Sequence, residues 1–156
     1  MTKKSDSKTG LIKDVYKKWH HVLNGELEID EILHPDCIFW SPVLFHPQKG
    51  RELTKMYLSA ASLVFPGDEA QENKSAGKKE GVLTSFRYTK RVLDGYHAVL
   101  EFETSIDGLH VNGVDIITCD DTGLIVEFKV MLRPRQALEK VSEQMMSMIE
   151  SLDHTP

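Results

Sequence analysis

Hydrophobic and polar positions along the chain change period once, near Val82, and the change divides the sequence into a helix-forming part and a strand-forming part. Ahead of it, Leu11, Ile12, Val15, Tyr16, Trp19, Val22 and Leu23 recur at three- and four-residue steps, which lines one face of an α-helix, and Asn24-Gly25 supplies a left-handed stop. The pattern predicts a short second helix carrying Leu27, Ile29, Ile32 and Leu33 that His34-Pro35 ends. A strand then runs from Cys37 to Trp40 and is closed by Ser41-Pro42. Gly50-Arg51-Glu52 opens a third helix with Leu53, Met56, Tyr57, Ala60, Ala61 and Val64 on one face and Phe65-Pro66-Gly67 as its stop. From Gly67 to Gly81 the chain is polar, lysine-rich and aperiodic, as a surface loop is; residues 1–9 read as a disordered lead-in to one domain over residues 10–152.

Beyond Val82 the period is two. Phe86 to Leu93, Tyr96 to Ile106, Leu109 to Cys119 and Leu124 to Leu132 read as four strands, joined by turns at Asp94-Gly95, Asp107-Gly108 and the Asp120 to Gly123 tetrad. This is an antiparallel meander. Its second strand alternates a core face, Ala98, Leu100, Phe102, Thr104 and Ile106, with a half-polar one. The third strand is apolar on both faces, with Val111, Gly113, Asp115 and Ile117 on one side and Asn112, Val114, Ile116 and Thr118 on the other. Two-sided apolarity calls for a cover, and a second copy of the chain is the expected one. A final helix starts at Pro134 with Leu138, Val141, Met145, Met148 and Leu152 along one stripe, and no internal repeat is visible.

Asp115 breaks the apolar face of its strand. A carboxylate facing a core costs several kcal/mol unless it is protonated, paired or hydrogen-bonded, so it is either a structural polar contact or a proton donor in a pocket.

At 156 residues and 17.7 kDa one domain suffices, burying roughly 70% of the surface its unfolded chain exposes. A formal charge of -5 argues against non-specific binding of nucleic acid and favours a small-molecule or protein partner. The polar start MTKKSDSKTG has no apolar signal region and no run is long enough to cross a bilayer, so the expected compartment is the cytoplasm. Cys37 and Cys119 lie far apart, without the spacing of a metal or redox pair, and read as small apolar strand residues. There is no H-E-x-x-H, no carboxylate cluster with ligand steps, no phosphate loop at Gly77 to Gly81 and no G-x-G-x-x-G, so neither a metal nor a cofactor is expected.

The order of elements resembles the nuclear transport factor 2-like fold, an α+β cone in which a curved antiparallel sheet packs against N-terminal helices, with a helix at the C-terminus. The likeness covers about residues 10 to 150. It rests on Ser41-Pro42-Val43 followed by HPQKGRE into a helix, and on the pair VDIITCDDTGLIVEFKV leading to Leu132-Arg133-Pro134. The resemblance is to the SnoaL-like and ketosteroid isomerase-like branch, whose isomerases, cyclases, epoxide hydrolases, dehydratases and pure binding modules share one cavity. The family alone therefore does not fix function. It implies that Asp115 stands where the isomerases hold a protonated aspartic acid of the oxyanion hole, an arrangement known from ketosteroid isomerase itself. The tyrosine of that hole has Tyr16 as its candidate, with Trp19 or His20 as occupants of the same spot. The isomerase base falls on Ser41, whose hydroxyl does not abstract a carbon-bound proton unaided. His46 and His20 are the candidates to replace it. An arginine that epoxide hydrolases carry two residues before the strand aspartate is Gly113 here. Trp19, Trp40, Ser41, Tyr57, Phe102, Phe128 and Val130 are the expected contacts of a small hydrophobic ligand, with a homodimer formed through the open sheet face. The alternative is a non-catalytic dimeric module with a vestigial cavity.

Overall fold

The computed structural model describes residues 3–64 and 86–153: three α-helices on one face of a six-stranded sheet. Helix α1 spans Lys3–Leu23 and is followed by a single 3-10 turn, Ile29–Glu31. Strand β1 (Leu33–Trp40), the short β2 (Gln48–Lys49) and helix α2 (Arg51–Val64) come next. Strands β3 (Arg87–Asp94), β4 (His97–Ile106), β5 (Leu109–Cys119) and β6 (Ile125–Arg133) lead to helix α3 (Arg135–Asp153). The strand order is β2-β1-β6-β5-β4-β3.

The four meander strands form where the two-residue period placed them, within a residue or two at each end. At the β4–β5 hairpin Asp107 and Gly108 both take positive φ, 49° and 82°, the backbone that a two-residue turn of right-handed twist demands. The Asp120 carboxylate shapes the β5–β6 turn by accepting from the Thr122 and Leu124 amides at 3.0 and 3.1 Å. The Phe65-Pro66-Gly67 stop and the Gly67 to Gly81 stretch lie outside the described residues.

Three expectations change. The helix read over Leu27 to Leu33 is only the 3-10 turn, since seven residues without a side-chain cap are too few to hold a helix. The chain instead enters the sheet early: the Ile32 carbonyl accepts from the Ile125 amide at 2.7 Å and β1 starts at Leu33. Pro35, read as a helix stop, lies inside β1, within the Leu33-to-Ile38 stretch where its register against β6 shifts, the kind of irregular place where a strand tolerates proline. β1 runs parallel to β6 and β2 pairs antiparallel with β1, so the meander is four of six strands rather than the whole sheet. Finally, α1 starts at Lys3 and takes in most of the stretch read as a lead-in, which holds no proline to stop it.

Two apolar clusters share the inner face of the sheet. One joins Ile12, Val15 and Trp19 of α1 to Leu100, Ile117 and Phe128. The other joins Ala60 and Val64 of α2 and Ala137, Val141 and Met145 of α3 to Phe102, Ile106 and Val111. Cys37 and Cys119 are buried free thiols. Among the described residues no helix is long and apolar enough to cross a membrane.

Candidate functional site

Along the inner face of β5, Val111 belongs to the α2–α3 cluster and Ile117 to the α1 cluster; Gly113 and Asp115 stand between them. A cavity of about 160 Å³ opens at this junction. Its walls come from both clusters: Trp19, Phe39, Phe128 and Val130 on one side, Phe102, Leu132, Val141 and Met145 on the other. Asp115, 6% exposed and in register with Leu100 and Val130, is the one titratable side chain lining it among the described residues.

A two-step donor chain reaches that carboxyl. The Trp19 indole N–H donates to the Tyr88 hydroxyl at 2.8 Å, and the Tyr88 O–H donates to Asp115 Oδ2 at 2.7 Å. Among the described residues Tyr88 is the only side chain that hydrogen-bonds the Asp115 carboxyl. Burial pushes the Asp115 carboxyl up to about 7, against the opposing pull of the Tyr88 bond. Tyr88 is driven well above its ordinary range by burial and by the neighbouring carboxylate, so its proton stays in place and it remains the donor. At neutral pH Asp115 is thus poised between its two forms. In the neutral form Oδ2 is taken by Tyr88, which leaves Oδ1 to carry a proton toward a ligand.

The structure gathers some of the expected site residues and separates others. Asp115, Trp19, Phe102, Phe128 and Val130 all border the cavity. Tyr57 stands behind the wall, stacked on Phe39 with ring centres 5.5 Å apart. Tyr16 and His20 are bonded to each other at 2.7 Å, and the His20 ring sits edge-on to Tyr88 at 6.1 Å; they flank the donor chain and do not line the cavity. Ser41 accepts the Val43 amide at 3.2 Å and so shapes the turn, while its neighbour Pro42 borders the cavity. His46 is exposed on the β1–β2 connection with its ring against Phe45, away from the lining. Trp40 lies on the opposite face of the sheet beneath the Lys129 ammonium, 5.0 Å from its ring. Phe39 and Trp40 are neighbours on one strand and cannot both face inward.

Tyr88 is the functional candidate that the pattern of the sequence conceals. Counting back from the Asp94–His97 pair, regular alternation would oppose Thr89 to Phe102. The register instead slips between Tyr88 and Lys90 and brings Tyr88 opposite Phe102, on the inner face. Phe39 is the second, legible from its place one residue before Trp40 on a strand with one buried face.

The fold has close counterparts among solved structures. A steroid delta-isomerase from Pseudomonas aeruginosa is 26% identical, with 93% of this chain and 96% of that one covered and a TM-score of 0.75. A protein with a cystatin-like fold from Silicibacter pomeroyi DSS-3 is 26% identical over 79% of this chain and 74% of its own, with a TM-score of 0.64. A nuclear transport factor 2-like protein of unknown function from Mesorhizobium loti is 16% identical over 81% and 94%, with a TM-score of 0.61, and speaks for the fold alone. No family model matches the chain, and no curated protein does. The fold is thus that of nuclear transport factor 2-like and cystatin-like proteins, and over most of both chains the protein is similar to a steroid delta-isomerase.

Proposed function

We propose that the cavity binds a small hydrophobic molecule bearing one carbonyl, and that neutral Asp115 donates the hydrogen bond that fixes the carbonyl oxygen. The observation that carries this reading is a carboxyl among apolar walls, held by one donor on one of its two oxygens. A donor there polarises a carbonyl and offsets negative charge that develops on its oxygen, the electrostatic step shared by isomerase, cyclase and dehydratase chemistry. The likeness to a steroid delta-isomerase supports the same reading. No second titratable group lines the cavity among the described residues, so a proton that must leave carbon while neutral Asp115 donates to the oxygen goes to a water molecule. With its pKa at about 7 Asp115 can take a proton only in its ionised form, when it no longer donates to the carbonyl.

The test uses 4-dimethylaminobenzaldehyde, whose absorbance moves to longer wavelength when its carbonyl accepts a hydrogen bond. Saturable binding with such a shift is expected below pH 7, fading as the pH rises through about 7, and absent in Asp115→Leu. Binding that leaves the spectrum unmoved, or a shift that survives in Asp115→Leu, sinks the assignment of Asp115. No saturable binding at all sinks the ligand cavity and leaves the chain as an interaction module.

The opposite face supports a partner role of its own. Val99, Ile116, Lys129 and Trp40 form one cross-strand row there, and Val114 and Met131 begin the next; Val99 is 37% and Met131 53% exposed. Glu127 stands two residues from Lys129 on β6, and Glu101 lies in the row of Val114 and Met131, so a two-fold related copy can set carboxylate against ammonium across the same strip. We infer self-association through this face.

A further inference from the structure

Gly113 stands on the inner face of β5 between Val111 and Asp115, beside the cavity wall. Gly113 and Asp115 share that face two positions apart, roughly 7 Å along the strand. Gly113 is paired with Phe102 on β4 and Leu132 on β6. A Cβ at this position would lie 2.3 Å from Phe102 Cζ and 2.7 Å from Leu132 Cδ2, so those side chains already occupy the space that any larger residue would claim. Phe102 is 1% exposed, and Phe86 backs it at 4.7 Å between ring centres and 31° between planes, which keeps its ring from swinging aside. On the other side of Asp115, Phe128 stands opposite Ile117 and meets Trp19 at 5.1 Å. An aromatic wall thus stands on each side of the carboxyl. The cavity between them is about 160 Å³, close to the size of engineered cavities, about 150 Å³, that take up a single benzene ring.

We infer that Phe102, seated in the gap that Gly113 leaves, is the wall that restricts this cavity to ligands of one ring: monocyclic ketones or aldehydes, not fused-ring ones. The inference rests on Asp115 as the anchor proposed above and adds the size class of what it anchors. On buried area alone a two-ring ketone binds better than its one-ring counterpart, because it removes more apolar surface from water. A preference for the smaller ligand therefore reports a wall.

Calorimetric titration with acetophenone and 2-acetonaphthone, which carry the same acetyl group on one ring and on two, tests it. The wild-type protein is expected to favour acetophenone by about tenfold or more. Phe102→Leu, which keeps most of the core volume, should erase that preference, and Phe102→Ala should reverse it, each variant being checked for a folded near-ultraviolet spectrum. Equal or tighter binding of 2-acetonaphthone by the wild type overturns the size limit and leaves the carbonyl-binding reading standing. A preference that persists in folded Phe102→Leu places the wall elsewhere and also overturns the inference. If neither ketone binds the wild type or Phe102→Leu, the size limit and the ligand cavity both fall.

Discussion

Asp115 holds a proton that an ordinary carboxyl would have given up, and the fold must bear the consequence. The native carboxyl titrates at about 7 and the unfolded one near 3.8. Between those values the native state binds more protons than the unfolded chain, so stability falls as the pH rises. The contribution of Asp115 is complete below about 3.8 and is lost by the time the pH passes about 7. Its full size is at most roughly 4 kcal/mol, from about 1.4 kcal/mol for each pH unit between the two values. Asparagine keeps an acceptor for the Tyr88 hydroxyl and never ionises. Asp115→Asn should therefore gain on the wild type by some 1–4 kcal/mol between about pH 4 and about pH 8 in urea denaturation, and a difference that stays flat across that range means the carboxyl is not buried as described. The acid itself was legible in the sequence, because a lone carboxylate on an apolar strand face admits few explanations. Its partner was not. Tyr88 reaches the inner face only through the slipped register of β3, and no alternation rule announces a bulge. Tyr16, with the right chemistry on the expected helix, bonds to His20 instead.

At the level of elements, the strands of the meander could be read because each is bounded by its own turn chemistry and alternates over nearly its whole length. β1 could not be placed from local pattern, since its partner β6 lies far along the chain and the pairing is parallel, without a hairpin to mark it. The β4–β5 pair shows how tightly one element fixes the next. Good strand propensity would not explain why position 113 must lack a side chain; the Phe102 ring and the Leu132 side chain lying across the strand do. Gly113→Ala should force Phe102 and Leu132 off their rotamers. The expected loss is about 1–3 kcal/mol, read as a lower urea midpoint with an unchanged slope. Phe102→Leu in the same background should recover part of it, because the smaller side chain vacates the space that the new methyl needs. A Gly113→Ala variant as stable as the wild type would mean that the ring moves freely, and the wall argued for the cavity would go with it.

Over the whole molecule, the sheet turns one face to the helices and leaves the other to whatever lies outside the chain. The inner face is covered by three helices and contains the cavity; the outer one holds the strip of Val99, Val114, Ile116 and Met131 with Glu101, Glu127 and Lys129 set into it. Stable dimers bury on the order of 800 Å² from each partner, an area that a four-strand face of this kind can supply. The proposed self-association thus predicts a sedimentation coefficient of a dimer at micromolar concentration. A glutamate in place of Ile116 would face the partner's apolar strip, where taking its charge out of water is costly. Ile116→Glu should therefore sediment as a monomer while the carbonyl dye still binds with its red-shifted spectrum, since Ile116 and Asp115 project to opposite faces of β5. A monomeric wild type removes the dimer from the account. A monomeric variant that also loses the dye shift would show instead that the cavity depends on the assembly, joining two faces that the monomer fold keeps apart.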